Sequence, residues 1–394
     1  MTSAPARIAM VVQRYGREVT GGSESLCRAL AERLAGAGHA VTVFTTCATD
    51  YVTWRNVLAE GREELGGVLV QRFAVEGERD LAAFNRFAEP LYGRTATREE
   101  EREFLRRQGP YVPRLVEALK TSQDAFDAVF FFTYLYYPTV AGLEVAAKRA
   151  VLVPTAHDEP PLRFSIYREL FERPRAFAFL TRAEEALVRE RFDLGQRPAL
   201  VAGMGIETPK APDVEGFRIR QRQFRPYALY AGRIDAGKGC DELLAFYDRY
   251  RQTSPGGADL LLIGNLAMPT PRVPGVRYLG YLSEEDKHAA MAGAKAVVCP
   301  SPYESLSIVL LEGFALGTPG LVNARSAVLQ DHARRSNAGL YYENADEFAE
   351  SLELLVRSGP VRDALSQNGR AYVAEGYLWP AVLTRYEQLI AVVR

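Results

Sequence analysis

Short apolar runs, rich in β-branched and aromatic residues, alternate along almost the whole chain with longer segments in which apolar residues recur at helical spacing. A strand buried on both faces of a parallel sheet is apolar throughout, whereas a helix covering that sheet is apolar on one side only. The alternation therefore predicts an α/β architecture with parallel sheets. Strands are expected at 8–12, 41–45, 68–73, 129–132, 151–154 and 177–180, and in the second half at 227–231, 259–263, 276–279, 296–299, 321–323 and 340–342.

Residues suited to helix ends mark several of the segments between these strands. Thr181 and Glu184 have the spacing of a capping box, Ser283 and Asn344 are suited to N-caps, and Gly317 is suited to a C-cap. They predict helices that begin after 181, 283 and 344, and one that ends at 317.

Two further segments bear on the domain organisation. The polar, arginine-rich stretch 209–226 predicts a solvated connector in front of the second half. An amphipathic helix is expected over 379–393, because Gly376 and Pro380 separate that segment from the helix before it.

The composition excludes several classes of protein. Lys and Arg together number 48 and Asp and Glu 49, so no overall field attracts nucleic acid, and any phosphate site must be local. The four cysteines form no Cys-x-x-Cys pair, which speaks against a zinc site or a disulfide framework. No run approaches the about 20 apolar residues that span a bilayer. A cytoplasmic protein is expected, and peripheral contact with the inner face of the membrane stays open.

The most specific segment lies at 301–319 and reads Ser-Pro-Tyr-Glu-Ser-Leu-Ser-Ile-Val-Leu-Leu-Glu-Gly-Phe-Ala-Leu-Gly-Thr-Pro. It leads from a predicted strand into a helix, whose first amides, around Ser307 and Ile308, are suited to binding phosphate oxygens. Glu304 precedes the helix, and Glu312 lies among apolar residues, where an unpaired carboxylate would be costly. Taken singly, each carboxylate is better explained as structural, an exposed loop residue or the polar edge of a helix. Their joint placement favours a ligand site.

The second segment, 230–241, reads Tyr-Ala-Gly-Arg-Ile-Asp-Ala-Gly-Lys-Gly-Cys-Asp and also leads from a strand into a helix. Its glycines, Gly232 among them, permit close backbone approach, and Arg233 and Lys238 place two cations on one loop. A surface turn with two solvated charges is the alternative. The sequence contains no Asp-x-Asp element that would hold a metal on a sugar diphosphate. We therefore expect no metal, and Arg233 and Lys238 are the candidates for neutralising a leaving diphosphate.

Candidate residues in the first half carry weaker signals. Gly21 and Gly22 form a turn between the first strand and first helix, where a ligand can approach the backbone. His157 follows the strand at 151–154, although a lone loop histidine is more often structural. In the aromatic stretch 130–137, the phenylalanines are expected in the core, and the tyrosines are either core residues or a platform for sugar stacking.

In combination, these motifs resemble glycosyltransferase family 4, retaining transferases among the group 1 glycosyltransferases. The pattern Glu304-x7-Glu312 matches the family's most diagnostic signature, and Gly232-Arg…Lys-Gly239 matches its glycine-rich loop. Gly-Gly-x-Glu at 21–24, His-Asp at 157–158, Gly-Ile-Glu at 205–207 and an aromatic-led C-terminal helix follow in family order.

The resemblance implies roles for individual residues. Arg233 and Lys238 would grip the diphosphate, Glu304 a hydroxyl of the donor sugar, and Glu312 the ribose hydroxyls. His157 would lie beside the transferred sugar. The further donor-binding residues are expected to be Gly21, Gly22, Gly232, Ser307, Ile308 and Tyr281. Two departures stand out: Ser307 replaces a common glycine, and 324–328, Ala-Arg-Ser-Ala-Val, replaces a common Gly-Gly-x-x-Glu.

The implied fold is GT-B, an α/β fold in which two Rossmann-like domains with parallel sheets face each other across a cleft. We expect an acceptor-binding domain over 1–207, a donor-binding domain over 208–375, and a helix, 376–394, that packs back on the first. The implied enzyme is a retaining hexosyltransferase that needs no cofactor or metal. It would use a nucleotide diphosphate sugar and a glycan, lipid-linked or small-molecule acceptor.

Two other functions share features of this sequence. A nucleotide-sugar-binding scaffold that has lost transfer would keep the same pocket. A nicotinamide dehydrogenase is rejected, because Gly36-Ala-Gly38 follows the first helix, whereas a dinucleotide fingerprint precedes it.

Overall fold

Residues 4–207 and 211–394 are described by a computed structural model, in which the chain divides into two units. The first unit comprises the residues up to Gly203 together with Leu383–Arg394, and the second comprises Met204–Val382. The corresponding boundaries expected from the sequence lie after 207 and after 375, and the expected connector begins at 209. Residues 208–210 lie outside the described ranges.

An eight-stranded sheet forms the centre of the first unit. Its strands are β1 (Arg7–Val11), β2 (Ala40–Thr46), β3 (Gly61–Leu65), β4 (Val68–Phe73), β5 (Ala128–Phe132), β6 (Ala150–Val153), β7 (Ala176–Phe179) and β8 (Ala199–Val201). They lie in the order β3-β4-β2-β1-β5-β6-β7-β8, and all neighbours are parallel except β3 and β4. The chain leaves β1 on one side and returns with β5 on the other, so the topological switch point lies between these two strands.

Helices cover both faces of this sheet. They are α1 (Gly22–Gly36), α2 (Leu81–Tyr92), α3 (Arg98–Gln108), α4 (Pro113–Ser122), α5 (Tyr137–Val145), α6 (Ser165–Glu172) and α7 (Arg182–Arg191), joined by α15 (Trp379–Val393) from residue 383 on. Neighbouring residues of a strand point to opposite faces: Phe131 of β5 clusters with Leu119 of α4, and the Phe130 ring lies 6.0 Å from that of Tyr386 in α15. Burial on both faces explains why β5 is apolar throughout.

The second unit is built on a six-stranded parallel sheet. Its strands are β9 (Tyr227–Ala231), β10 (Asp259–Ile263), β11 (Val276–Tyr278), β12 (Val297–Cys299), β13 (Gly320–Asn323) and β14 (Gly339–Tyr342), and its helices are α8 (Val214–Gln221), α9 (Cys240–Thr253), α10 (Glu284–Gly293), α11 (Ile308–Leu316), α12 (Ala327–Ser336), α13 (Ala345–Arg357) and α14 (Gly359–Gly376). The strand order is β11-β10-β9-β12-β13-β14. Its switch point therefore lies between β9 and β12.

All twelve expected strands are present, with ends within one residue of the predicted ones. The prediction missed β3 and β8, which lie at the two edges of the first sheet. The expected connector 209–226 is wrong in part, because α8 forms within it. Three of its arginines bind parts of the same unit: Arg220 pairs with Asp286 at 2.6 Å, and Arg218 and Arg225 donate to backbone carbonyl oxygens.

The predicted helix ends are confirmed. Ser283 and Asn344 accept amide hydrogen bonds as N-caps, and Gly317 ends α11 with φ 80°. Thr181 accepts from the amide of Glu184 at 3.1 Å, while the Glu184 carboxylate accepts from the amides of Leu180 and Ala156. None of the helices in the described ranges is long and apolar enough to cross a membrane.

Candidate functional site

Two loops meet at the switch point of the second unit, one after β9 and one after β12. Gly239 in the first has φ 73°, and a Cβ there would lie 2.5 Å from the carbonyl oxygen of Pro300 in the second. Only glycine allows this approach. Across the contact, Lys238 Nζ lies 2.8 Å from Glu304 Oε1. The structure thus brings together two residues that the sequence analysis selected from separate motifs.

Hydrogen bonds and an ion pair within the loop after β9 hold its residues in place. The Asp235 carboxylate accepts a hydrogen bond from the amide of Lys238 at 2.8 Å and forms an ion pair with Arg233. Tyr230 at the end of β9 donates its hydroxyl hydrogen to the carbonyl oxygen of Arg233 at 2.6 Å. Arg233 follows Gly232, and its side chain stays 44% exposed. Both cations of the loop are therefore held in place and remain partly open to solvent.

Ser307 begins α11 in an unusual conformation. Its φ of 62° and ψ of 70° lie in the left-handed region, which costs a residue with a side chain roughly 1–2 kcal/mol. Its hydroxyl donates to the thiol of Cys299, 3.8 Å away, and burial raises the pKa of Cys299 to about 12. The backbone geometry explains why a glycine suits this position. The next residue, Ile308, is the first of α11, where amides have no partner within the helix.

Glu312, one turn further along α11, has a partner that the sequence analysis missed. Lys287 of α10 places its Nζ 3.2 Å from Glu312 Oε1 and 2.7 Å from Glu284 Oε2. Burial alone would lower the pKa of Lys287, but the charges of Glu312 and Glu284 raise it. Lys287 stands in no recognisable motif, so only the packing of α10 against α11 reveals the contact.

Glu284, His288 and Glu312 also form the cluster whose geometry suits a metal, with their ligand atoms within 4.8 Å of one another. The Lys287 ammonium bonds to both carboxylates of this cluster, so an ion would have to displace a resident cation. Tyr281, expected to bind the donor, lies on the loop after β11, with 79% of its surface exposed.

In the first unit, the turn at Gly21 and Gly22 begins α1. Gly21 has φ 151°, and a Cβ there would lie 2.3 Å from Glu24 Oε2, whereas a Cβ at Gly22 would meet nothing within 4 Å. Glu24 is 5% exposed and pairs with Arg14 at 2.5 Å. Gly22 therefore has the open surroundings expected for ligand approach, while the glutamate of the same motif is engaged inside the protein.

His157 also lies in the first unit. Its Nε2 is 3.4 Å from Glu159 Oε2, and Tyr134 donates to the other oxygen of Glu159 at 2.7 Å. Tyr134 is fully buried, with its ring 4.8 Å from that of Tyr167, so it is not a stacking platform. Phe130–Phe132 are buried, as predicted.

Comparison with the sequences of known proteins finds matches over part of the chain. Residues 217–372, all within the second unit, match the family model described as glycosyl transferases group 1. A glycogen synthase of Thermus thermophilus is 33% identical over 162 residues, 39% of this chain and 37% of that protein. A phosphatidyl-myo-inositol mannosyltransferase of Propionibacterium freudenreichii is 29% identical over 188 residues, 46% of this chain and 48% of that protein. Each match spans less than half of these curated relatives.

Solved structures resemble the chain over its whole length. A sucrose-phosphate synthase from Thermosynechococcus elongatus superimposes with a TM-score of 0.74 over 98% of both chains at 20% identity. HepE of Anabaena, solved with UDP-glucose, gives 0.70 over 98% of this chain and 99% of its own at 14% identity. These likenesses concern the fold, and the predicted GT-B class with two Rossmann-like domains is confirmed.

Proposed function

We propose that this chain, whose residues 217–372 match the family model of the group 1 glycosyl transferases, transfers a sugar from a nucleoside diphosphate donor to an acceptor hydroxyl. The observation that carries the proposal is the Lys238–Glu304 contact at the switch point of the second unit, next to the start of α11. Ligands of open α/β sheets bind outside the carboxyl ends of the strands at such a point. HepE, which shares the fold, was solved with UDP-glucose, and this supports the class of donor.

The residues of the two loops suit the parts of such a donor. An ammonium has three N–H donors, so Lys238 can bind a diphosphate oxygen while it stays bonded to Glu304. Glu304 can then accept from a hydroxyl of the sugar attached to that diphosphate. The partly exposed guanidinium of Arg233 and the first amides of α11 supply further donors to phosphate. Glu312 is assigned to the ribose.

The transfer proposed is retaining, as in glycosyltransferase family 4. The bond between the anomeric carbon and the diphosphate oxygen breaks, and its electron pair leaves with the diphosphate. The acceptor oxygen forms the new bond on the same face, and its proton passes to the departing diphosphate. Lys238 and Arg233 stabilise the charge that develops there, which is the main catalytic term. Fixed cations at this place make a metal unnecessary.

Roles in the first unit rest on the family resemblance. His157 is proposed to lie beside the transferred sugar and Gly22 to admit the ligand to the backbone. A hexose is the expected group, and the acceptor is a glycan, a lipid-linked sugar or a small molecule.

Three measurements test the proposal. A thermal-shift panel of nucleotide sugars identifies the donor, because a ligand that binds the folded state raises the melting temperature. Turnover with acceptors in the presence of EDTA should persist, and loss of activity that manganese restores would refute the metal-free mechanism. Proton NMR of the fresh product should show the anomeric configuration of the donor, and inversion would refute retention. Donor binding without transfer to any acceptor would favour the scaffold alternative.

A further inference from the structure

Lys287 of α10 and Glu312 of α11 form an ion pair between the two helices. Their side chains are 20% and 17% exposed, whereas Glu284, the other partner of Lys287, is 70% exposed. Lys287 therefore contacts one largely buried carboxylate, the inner one, and one exposed carboxylate, the outer one. The inner one belongs to the residue that the proposed function assigns to the ribose.

We propose that Lys287 is a positioning residue for ribose recognition: it holds Glu312 so that the free carboxylate oxygen accepts from the ribose hydroxyls of the donor. This inference rests on the proposed function and adds to it a residue that no motif marks. Lys287 contacts Oε1 of Glu312, and a carboxylate has about four acceptor sites on its two oxygens. Oε2 and part of Oε1 thus stay available to hydroxyls.

Two physical effects make the contact useful. A glutamate side chain loses rotamer freedom when it binds a ligand, and the bond to Lys287 fixes that side chain in advance. A half-buried carboxylate is also costly unless a cation lies close to it, and the Lys287 ammonium supplies that cation.

The test is a set of titrations by calorimetry. UDP, ADP and GDP are titrated into the wild-type chain, and the nucleotide that binds most tightly is compared with its 2′,3′-dideoxy form and with inorganic pyrophosphate. Lys287→Met should weaken the ribonucleotide roughly tenfold and leave the affinities for the dideoxy form and for pyrophosphate unchanged. Lys287→Arg should restore most of the loss, because it keeps a cation beside Glu312.

A matched control and a double variant complete the design. Lys295→Met removes a half-buried ammonium from the same unit that forms no salt bridge in the described structure, and it should change none of the three affinities. Glu312→Gln should lower the ribonucleotide affinity, and adding Lys287→Met to it should cause no further loss, because the two residues act through one contact.

The possible failures are distinct. If the wild-type chain binds none of these nucleotides and none of the nucleotide sugars of the thermal-shift panel, the proposed function itself is wrong. If it binds one and Lys287→Met weakens the dideoxy form as much as the ribonucleotide, Lys287 contacts another part of the ligand and the inference is refuted. Unchanged ribonucleotide binding by Lys287→Met also refutes it. Retained pyrophosphate binding shows that a variant is folded at the site.

Discussion

Around their switch points the two sheets follow the same strand order, but the two units place different charge pairs there. Beside β9 and β12, Lys238 and Glu304 come from separate loops and are 35% and 19% exposed. Beside β1, Arg14 and Glu24 are 6% and 5% exposed, and Gln13 and Ser23 donate further hydrogen bonds to Glu24. The first pair can exchange a protein partner for a ligand, whereas the second is enclosed. The same position in the strand order thus carries the proposed binding site in one unit and an enclosed ion pair in the other.

The largest effect expected from this difference concerns stability. Glu24→Ala leaves the buried guanidinium of Arg14 without its carboxylate, and breaking a buried pair in this way costs about 3–5 kcal/mol. Glu304→Ala breaks a partly exposed pair and should cost no more than about 1 kcal/mol. Urea denaturation of both variants measures the two losses. Equal losses would contradict the distinction between an enclosed and an available pair.

Two buried ionisable groups should make the stabilities of the two units change in opposite directions with pH. Burial raises the pKa of Glu184 in α7 to about 7 from 4.5, and burial lowers the pKa of His332 in α12 to about 4 from 6.5. Between pH 4.5 and 7 the folded form of the first unit binds a proton on Glu184 that the unfolded form does not, so the stability of this unit falls as the pH rises. Between pH 4 and 6.5 the unfolded form of the second unit binds a proton on His332 that the folded form does not, so the stability of that unit falls as the pH falls.

Each effect amounts to roughly 3 kcal/mol across its window, and in a melting curve of the whole chain they largely cancel. Hydrogen exchange of the amides of α7 and α12, corrected for the intrinsic pH dependence, separates them. Glu184→Gln should flatten the response of α7 only, and His332→Gln that of α12 only. A common direction in both helices would show that other groups dominate.

A smaller effect, on turnover, is expected from Lys238→Ala. The variant loses the proposed charged contact to the diphosphate, worth about 1.5–3 kcal/mol, so turnover should fall roughly ten- to a hundredfold. Its stability should change by less than about 1 kcal/mol. Lys120→Ala removes an exposed ammonium from α4 of the first unit and serves as the control. Full activity of Lys238→Ala in a steady-state assay would remove this residue from the site.

The sequence predicts the strands well because strands buried on both faces are apolar throughout. It misses β3, which reads Gly-Arg-Glu-Glu-Leu and lies exposed at an edge of the sheet. This strand contains no run of apolar residues that would predict it. The motifs select Lys238, Glu304 and Glu312 but not Lys287, the partner of Glu312. Lys287 lies 25 residues before Glu312, and their contact depends on how two helices pack. Glu24 is the opposite case. It stands in the Gly-Gly-x-Glu motif that suggests a turn open to a ligand, but its carboxylate is bound to Arg14 inside the protein.

The smallest effect is expected where the two units begin a helix on a residue with positive φ. Gly21 precedes α1 at φ 151°, and Ser307 precedes α11 at φ 62°. Ser307→Gly removes the left-handed strain of roughly 1–2 kcal/mol, but the extra freedom of glycine in the unfolded chain offsets about 0.4–1 kcal/mol of that gain. A net stabilisation of a few tenths to about 1 kcal/mol should therefore appear in urea denaturation.

The reverse exchange in the first unit provides the comparison. Gly21→Ser places a Cβ against the Glu24 carboxylate, 2.3 Å away in the present geometry, and should destabilise the chain. Ser307→Gly should leave donor binding intact, because the phosphate contacts proposed at this helix start are made by backbone amides, which glycine keeps. If Ser307→Gly instead destabilised the chain by about 1 kcal/mol or more, the hydroxyl contact with Cys299 would outweigh the strain. The serine would then stabilise the loop that carries Glu304.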